Sequence, residues 1–185
     1  LQARGWSAEQ EDRLVALYAA HQERIIEKQR QAGRTNEASR LARQATPLPD
    51  TLSTPRQRSL AQARLLMAAA EYADAAQLLK PLASAQPDDL SVRMALADTL
   101  SRLQDTGDRQ AASTEADWLK DRIPASDVGQ QLALLRIWQR IGRMDEARAL
   151  ATRLLDRFPQ DSDVLLHAAR QERANRNYAQ AMVFF

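Results

Sequence analysis

The groups with which this chain could do chemistry are few. Among its 185 residues there is no cysteine, there are two histidines (His21 and His167), and there are three tryptophans (Trp6, Trp118 and Trp138). Without Cys there is neither a disulfide framework nor a thiol nucleophile, and the oxidising or reducing character of the compartment stays open. Two histidines far apart in the chain, with no Cys to join them, make no metal-ligand set. There is no Gly-rich loop to cradle a phosphate and no Ser-centred elbow. The carboxylate pairs Asp88/Asp89 and Asp145/Glu146 fall where helices should begin, and there the helix dipole favours negative charge without any catalytic role. The expectation is a chain that is not an enzyme and needs no metal and no cofactor. An exposed tryptophan, Trp118 above all, is the one candidate platform for stacking a sugar.

Arginine is what the chain has in quantity, 23 residues against 3 lysines. Acidic residues nearly balance it, for a formal net charge of +2, which is too even to imply nucleic acid. Guanidinium groups suit bidentate capture of carboxylates. Whether these arginines can act together depends on the elements that carry them.

Those elements are helical and they recur. Residues 140–160 read RIGRMDEARALATRLLDRFPQ: the end of one helix, a Gly turn, an amphipathic helix, and a Pro stop. Ala147 is small enough for two helices to approach closely, and Leu150, Leu154 and Leu155 form a buried stripe. Pro87, Pro124 and Pro159 close three such units, 37 and 35 residues apart. Aligned on them, the second-helix openings superpose as 71–75, 108–112, 143–147 and 177–181, each with an Ala as its small residue. Asp89, Ser126 and Asp161 follow as N-cap residues for the next unit. Gly33, Gly107 and Gly142 fall at helix–helix turns. No run of β-branched residues alternates at period two, so strands are not expected.

This pattern resembles the tetratricopeptide repeat. On first helices, Ala63 and Leu66, Leu96, Ala97 and Leu100, Leu134 and Trp138, and Ala169 match it. On second helices, Ala75, Leu79 and Pro87, Gly107, Ala112 and Pro124, Gly142, Ala147 and Pro159, and Tyr178, Ala181 and Phe185 do so. Gln62, Leu135 and Glu172 depart from it. The resemblance implies an all-α, right-handed α-solenoid of helix-turn-helix repeats, with Trp138, Tyr72 and Tyr178 packed in the core. The chain begins at Leu1 without Met and stops at Phe185 within a helix, so it reads as a fragment of a longer array.

In chain order the expected organisation opens with an irregular helical pair over 1–46. Its long first helix starts after an N-cap at Ser7, with Trp6 stapling the first turn. Leu14, Leu17, Tyr18, Ile25 and Ile26 form its apolar side, and Ala38, Leu41 and Ala42 face inward from its partner. A Pro/Thr-rich break covers 47–55, ending in Thr54 as N-cap and Pro55 at the first helical position. Repeats follow over 56–89, over 90–126 with a short insertion near 103–106, over 127–161, and over a truncated 162–185. Pro81, inside a second helix, should kink it.

In the tetratricopeptide family the concave wall is lined by first-helix positions. Here the resemblance places Arg64, Arg102, Arg136, Arg140, Arg170 and Arg173 there, with Asp98 and Asp163 as the only acids. The expected site is a basic channel for an acidic, extended partner. More narrowly, Leu78-Leu79-Lys80-Pro81-Leu82 followed by Pro87-Asp88-Asp89, and Asn177-Tyr178-Ala179-Gln180-Ala181-Met182, are similar to the periplasmic repeat region of bacterial cellulose synthase (its C component) and of related exopolysaccharide export proteins. That resemblance implies a scaffold of a secretion or synthase complex, in the periplasm and attached to the outer membrane through segments outside this stretch, with protein partners and a guided polysaccharide. Two alternatives stand beside it: a generic bacterial adaptor or chaperone, in the cytoplasm, that binds an acidic peptide in its groove, and the regulatory arm of an enzyme.

Overall fold

The computed structural model describes residues 8–45 and 54–184, with side chains from residue 17 onward. Ser7, Trp6, the Leu14 side chain, most of the Pro/Thr-rich break and Phe185 lie outside those residues. Ten helices run through the described chain and no strand occurs among them: α1 (Ala8–Gln31), α2 (Thr35–Gln44), α3 (Pro55–Ala68), α4 (Tyr72–Ala85), α5 (Leu90–Leu100), α6 (Thr106–Lys120), α7 (Val128–Ile141), α8 (Met144–Arg157), α9 (Ser162–Ala174) and α10 (Tyr178–Val183). The fold class is all-α, built of tetratricopeptide-type hairpins. The chain divides into two compact units, Leu1–Leu103 and Gln104–Phe185.

In the first unit α1 packs on α2 and α3, α3 on α4 and α5, and α4 on α5. In the second, α7 packs on α6, α8 and α9, and α9 on α8 and α10. Within each unit, α1 and α3 and likewise α7 touch both their own hairpin partner and the first helix of the next hairpin, the packing by which stacked repeats share a core.

Four hairpins close in one way. At Gly33, Ala70, Gly142 and Arg176 the backbone enters the left-handed region, with φ of 78°, 68°, 88° and 61°. The next N–H donates back across the helix end: Arg34 to the Gln29 carbonyl at 3.0 Å, Glu71 to Leu66 at 2.8 Å, Arg143 to Trp138 at 2.8 Å and Asn177 to Glu172 at 2.9 Å. This is the Schellman closure, which satisfies carbonyls a helix end would otherwise leave bare. Gly33 and Gly142 were expected at such turns. Ala70 and Arg176 were not, because only glycine takes this conformation without a Cβ penalty. Gly107, expected at a turn, is instead the second residue of α6, and its N–H donates to the Asp105 Oδ1 at 2.7 Å.

Helix starts follow side-chain capping. Thr54 accepts from the Gln57 N–H while the Gln57 side chain accepts from the Thr54 N–H, a complete capping box with Pro55 behind it. Asp89 and Asp161 cap α5 and α9 as expected. The cap of α7 is Asp127 rather than Ser126, since its carboxylate accepts from the Gln130 N–H at 3.0 Å. The helical span of α4 continues through Pro81.

The core is largely the expected one, but Tyr72, expected in it, is only half-buried. Ala63, Leu66, Ala75, Leu79, Leu96, Ala97, Leu100, Ala112, Leu134, Trp138, Ala147, Leu150, Leu154, Ala169 and Ala181 are all buried. Burying a large aliphatic or aromatic side chain of this kind contributes about 1.5–3 kcal/mol. Tyr178, expected in the core, is 61% exposed, and Leu17 and Tyr18 of α1 are 62% and 38% exposed. Ile26, expected on the apolar side of α1, is buried there, joined by Ala19 two turns before it, and α1 packs on α2 and α3. Gln62, the polar residue at an expected apolar position, donates to the Ala42 carbonyl at 2.7 Å and so caps the end of α2.

Candidate interaction site

In the first unit, Arg64 on α3 and Arg102 just past α5 border a cavity of about 280 Å³ together with Glu23, Glu27 and Arg30 of α1, Tyr72 of α4 and Asp98 of α5. Arg102 donates through Nε to the Asp98 Oδ2 at 3.2 Å and through Nη1 to the Tyr72 hydroxyl at 3.3 Å, and its guanidinium stands 5.3 Å from the Tyr72 ring centre. Burial works against its charge, but Asp98 and Tyr72 more than offset that, so its affinity for the proton rises. Glu23 is held above the ordinary carboxylate range by burial. Arg64 pulls it back down and Glu27 pushes it further up. Arg30 donates to the Ala68 carbonyl at 3.0 Å.

Arg64 and Arg102 therefore face carboxylates. Asp98 was expected there; Glu23 and Glu27 were not. They belong to α1, whose excess length had set it apart from the repeats, yet α1 packs on α3 as a first helix does. Their spacing of one turn, with Ile26 between them and buried, was the signal in the sequence.

In the second unit Arg136 and Arg140 lie on α7, and Arg170 and Arg173 on α9. Arg136, Arg170 and Arg173 are exposed and make no ion pair among the described residues; Arg140 is half-buried. Between the two helices sits His167. Its pKa is held below the ordinary 6.5, first by burial and then by the positive charges of Arg136 and Arg170. Its Nε2 is buried without a partner. Asp163, the expected acid of this wall, is exposed one turn before it. Sequence reading weighed His167 as a metal ligand and did not place it beside Arg136 and Arg170. The i, i+3 spacing of His167 and Arg170 carried that information for one of them.

Beside His167 opens a cavity of about 260 Å³ between α7, α8 and α9. Leu132, Ala147, Ala151, Leu154, Leu155, Val164 and Ala168 line it, and the side chains of Gln139 and Gln171 join across its edge at 3.1 Å. Another arginine of this unit with a structural role is Arg143, the N-cap of α8. It pairs with Asp117 of α6 at 2.5 Å and Glu146 at 2.8 Å, 5.6 Å from the Trp138 ring centre. Trp118, the candidate sugar platform, is half-buried and has the Arg122 guanidinium 4.2 Å from its ring centre. Among the described residues no group of three or more His, Asp or Glu could hold a metal ion, and no helix is long and apolar enough to cross a membrane.

No protein-family model matches the chain, and no curated protein matches it in sequence. Solved structures of MamA are similar to it. MamA of AMB-1 in its C2221 form is 18% identical, with 91% of this chain and 95% of that chain covered at a TM-score of 0.47. MamA of MSR-1 in its C2 form is also 18% identical, with 90% and 92% covered at a TM-score of 0.49. At these values the likeness is one of all-helical architecture alone.

Proposed function

We propose that the chain is a non-catalytic scaffold that holds an acidic, extended stretch of a partner protein against the arginines of α7 and α9. One observation carries this reading: Arg136, Arg170 and Arg173 are exposed and unpaired among the described residues, and they come from the adjacent helices α7 and α9. Exposed guanidinium groups with no carboxylate of their own attract carboxylates brought to them and can bind them bidentately.

Replacement of Arg136 and Arg140 by Glu tests the reading in a titration against a polyglutamate peptide. Affinity should fall, and its dependence on salt should flatten. Unchanged affinity and unchanged salt dependence would refute it.

The narrower role as a periplasmic scaffold for exopolysaccharide export is supported by the two repeat motifs in α4 and α10 alone. Fractionation of cells producing the natural full-length protein tests it. Recovery with the cytosol, in cells whose polymer secretion is unaffected by its loss, would refute that role and leave the scaffold reading standing.

A further inference from the structure

We propose that the acidic stretch bound by the second unit carries one aliphatic side chain, of leucine or methionine size, which seats in the cavity between α7, α8 and α9. This rests on the reading just given and adds the residue that gives the interaction its selectivity. The cavity and the arginines share helix faces. On α7, Arg136 lies one turn from Leu132 and one from Gln139, both of which line the cavity; on α9, Arg170 lies one turn from the lining residue His167. A chain laid along the arginines therefore passes the mouth of the cavity.

The lining decides what enters. Its apolar lining is mostly aliphatic, with Leu132, Leu154, Leu155 and Val164 beside Met144 and Phe184, and Ala147 and Ala151 leave room. A volume of about 260 Å³ falls below the roughly 300–1,000 Å³ of small-molecule pockets and suits a single side chain. Polar groups stand at the edge. The Gln139 amide donates to Gln171 at 3.1 Å, which leaves the Gln139 oxygen and the Gln171 amide hydrogens to meet a peptide backbone. Arg148 at the mouth is already paired with Asp145 at 3.2 Å, and Glu172 accepts from Asn177 at 2.9 Å. Charge complementarity comes from Arg136 and Arg170, which lie beside the cavity unpaired among the described residues. The occupant is thus an aliphatic residue flanked by Asp or Glu.

Two fluorescein-labelled polyglutamate peptides test this on the full chain by anisotropy, one with a central leucine and its twin with glycine there. The leucine peptide should bind about tenfold tighter, as expected for burying one aliphatic side chain. Equal affinities overturn the proposal, and this comparison needs no variant of the protein. Ala151→Phe fills the cavity. It should bring the two affinities together while leaving the salt dependence of the glycine peptide as it was, with the helical circular dichroism confirming the fold. A leucine preference that survives in folded Ala151→Phe overturns the proposal. Sedimentation showing a dimer that Ala151→Phe abolishes would put a second copy of the chain in the cavity, and also overturns it. Arg136→Glu with Arg170→Glu should weaken both peptides alike. If affinity survives that reversal with the leucine preference intact, the arginine reading fails and the cavity assignment stands.

Discussion

Arginines in the two units meet different neighbours. In the first, Arg102 is held by Asp98 and Tyr72, and Arg64 faces Glu23 of α1. In the second, Arg136, Arg170 and Arg173 have no carboxylate paired with them among the described residues, and near Arg136 and Arg170 stands a histidine whose charged form burial, and then those two arginines, oppose. Similar positions on similar helices thus produce a closed ionic cluster in one unit and an open positive surface in the other. Arginine at a first-helix position does not by itself make a binding wall; for Arg64 and Arg136 what differs is whether the neighbouring first helix brings acids. That neighbour is α1, with Glu23 and Glu27, in the first unit and α9, with His167 and Arg170, in the second.

The contrast depends first on the second unit standing. Trp138 is 1% exposed and anchors α7, whereas Tyr72 in the first unit is half-buried. Trp138→Ala should cost about 3–5 kcal/mol in urea denaturation, and Tyr72→Ala clearly less. Equal losses would show that the second unit does not hang on that ring.

Charge reversal probes the contrast directly. Arg136→Glu with Arg170→Glu should weaken binding of an acidic peptide roughly tenfold, while Arg64→Glu should change it less than about twofold. If Arg64→Glu had the larger effect, the roles of the two units would have to be exchanged.

The turns offer a smaller test. A Cβ at Gly142 would meet nothing within 4 Å, so the cost of Gly142→Ala is conformational, about 1 kcal/mol. Ala70→Gly in the first unit should stabilise the protein by roughly 0.5 kcal/mol, because Ala70 already bears the strain of φ 68°. Loss of stability in Ala70→Gly would mean that its methyl packing outweighs that strain.

The smallest effect concerns pH. His167 has a folded pKa below 6.5, so the unfolded chain binds the proton more readily. Its contribution is therefore neutral above pH 6.5, and stability is lost as pH falls from 6.5 towards the folded value. His167→Gln should flatten this slope in acid. In an NMR titration of the imidazole, Arg136→Gln with Arg170→Gln should raise the midpoint, burial keeping it below 6.5; an unmoved midpoint would separate His167 from both arginines.

Much of the fold could be read from residue types. The Pro stops, the small alanines and the Asp caps each act locally, through a missing N–H, a short side chain or a nearby carboxylate. Thr54, Asp89, Asp161 and Gly142 behave in the structure as their types require. The misses were of another kind. Ala70 and Arg176 take a conformation their own side chains disfavour, imposed by the helices on either side. The exposure of Tyr178, and of Leu17 and Tyr18 on α1, depends on which helices lie alongside, which no local pattern states. The candidate site was legible only as a set of arginines. Which of them face acids was set by packing between hairpins, and the glutamates that do so lay in a helix whose length had separated it from the rest.

The four left-handed turns also bear on how such a protein changes over time. Glycine, alanine and arginine occupy equivalent corners, and each corner ties off with the same pair of backbone bonds. A hairpin whose corner is enforced from outside can forgive replacement of the residue best suited to it, so the lettering of the motif can erode while the stacking endures.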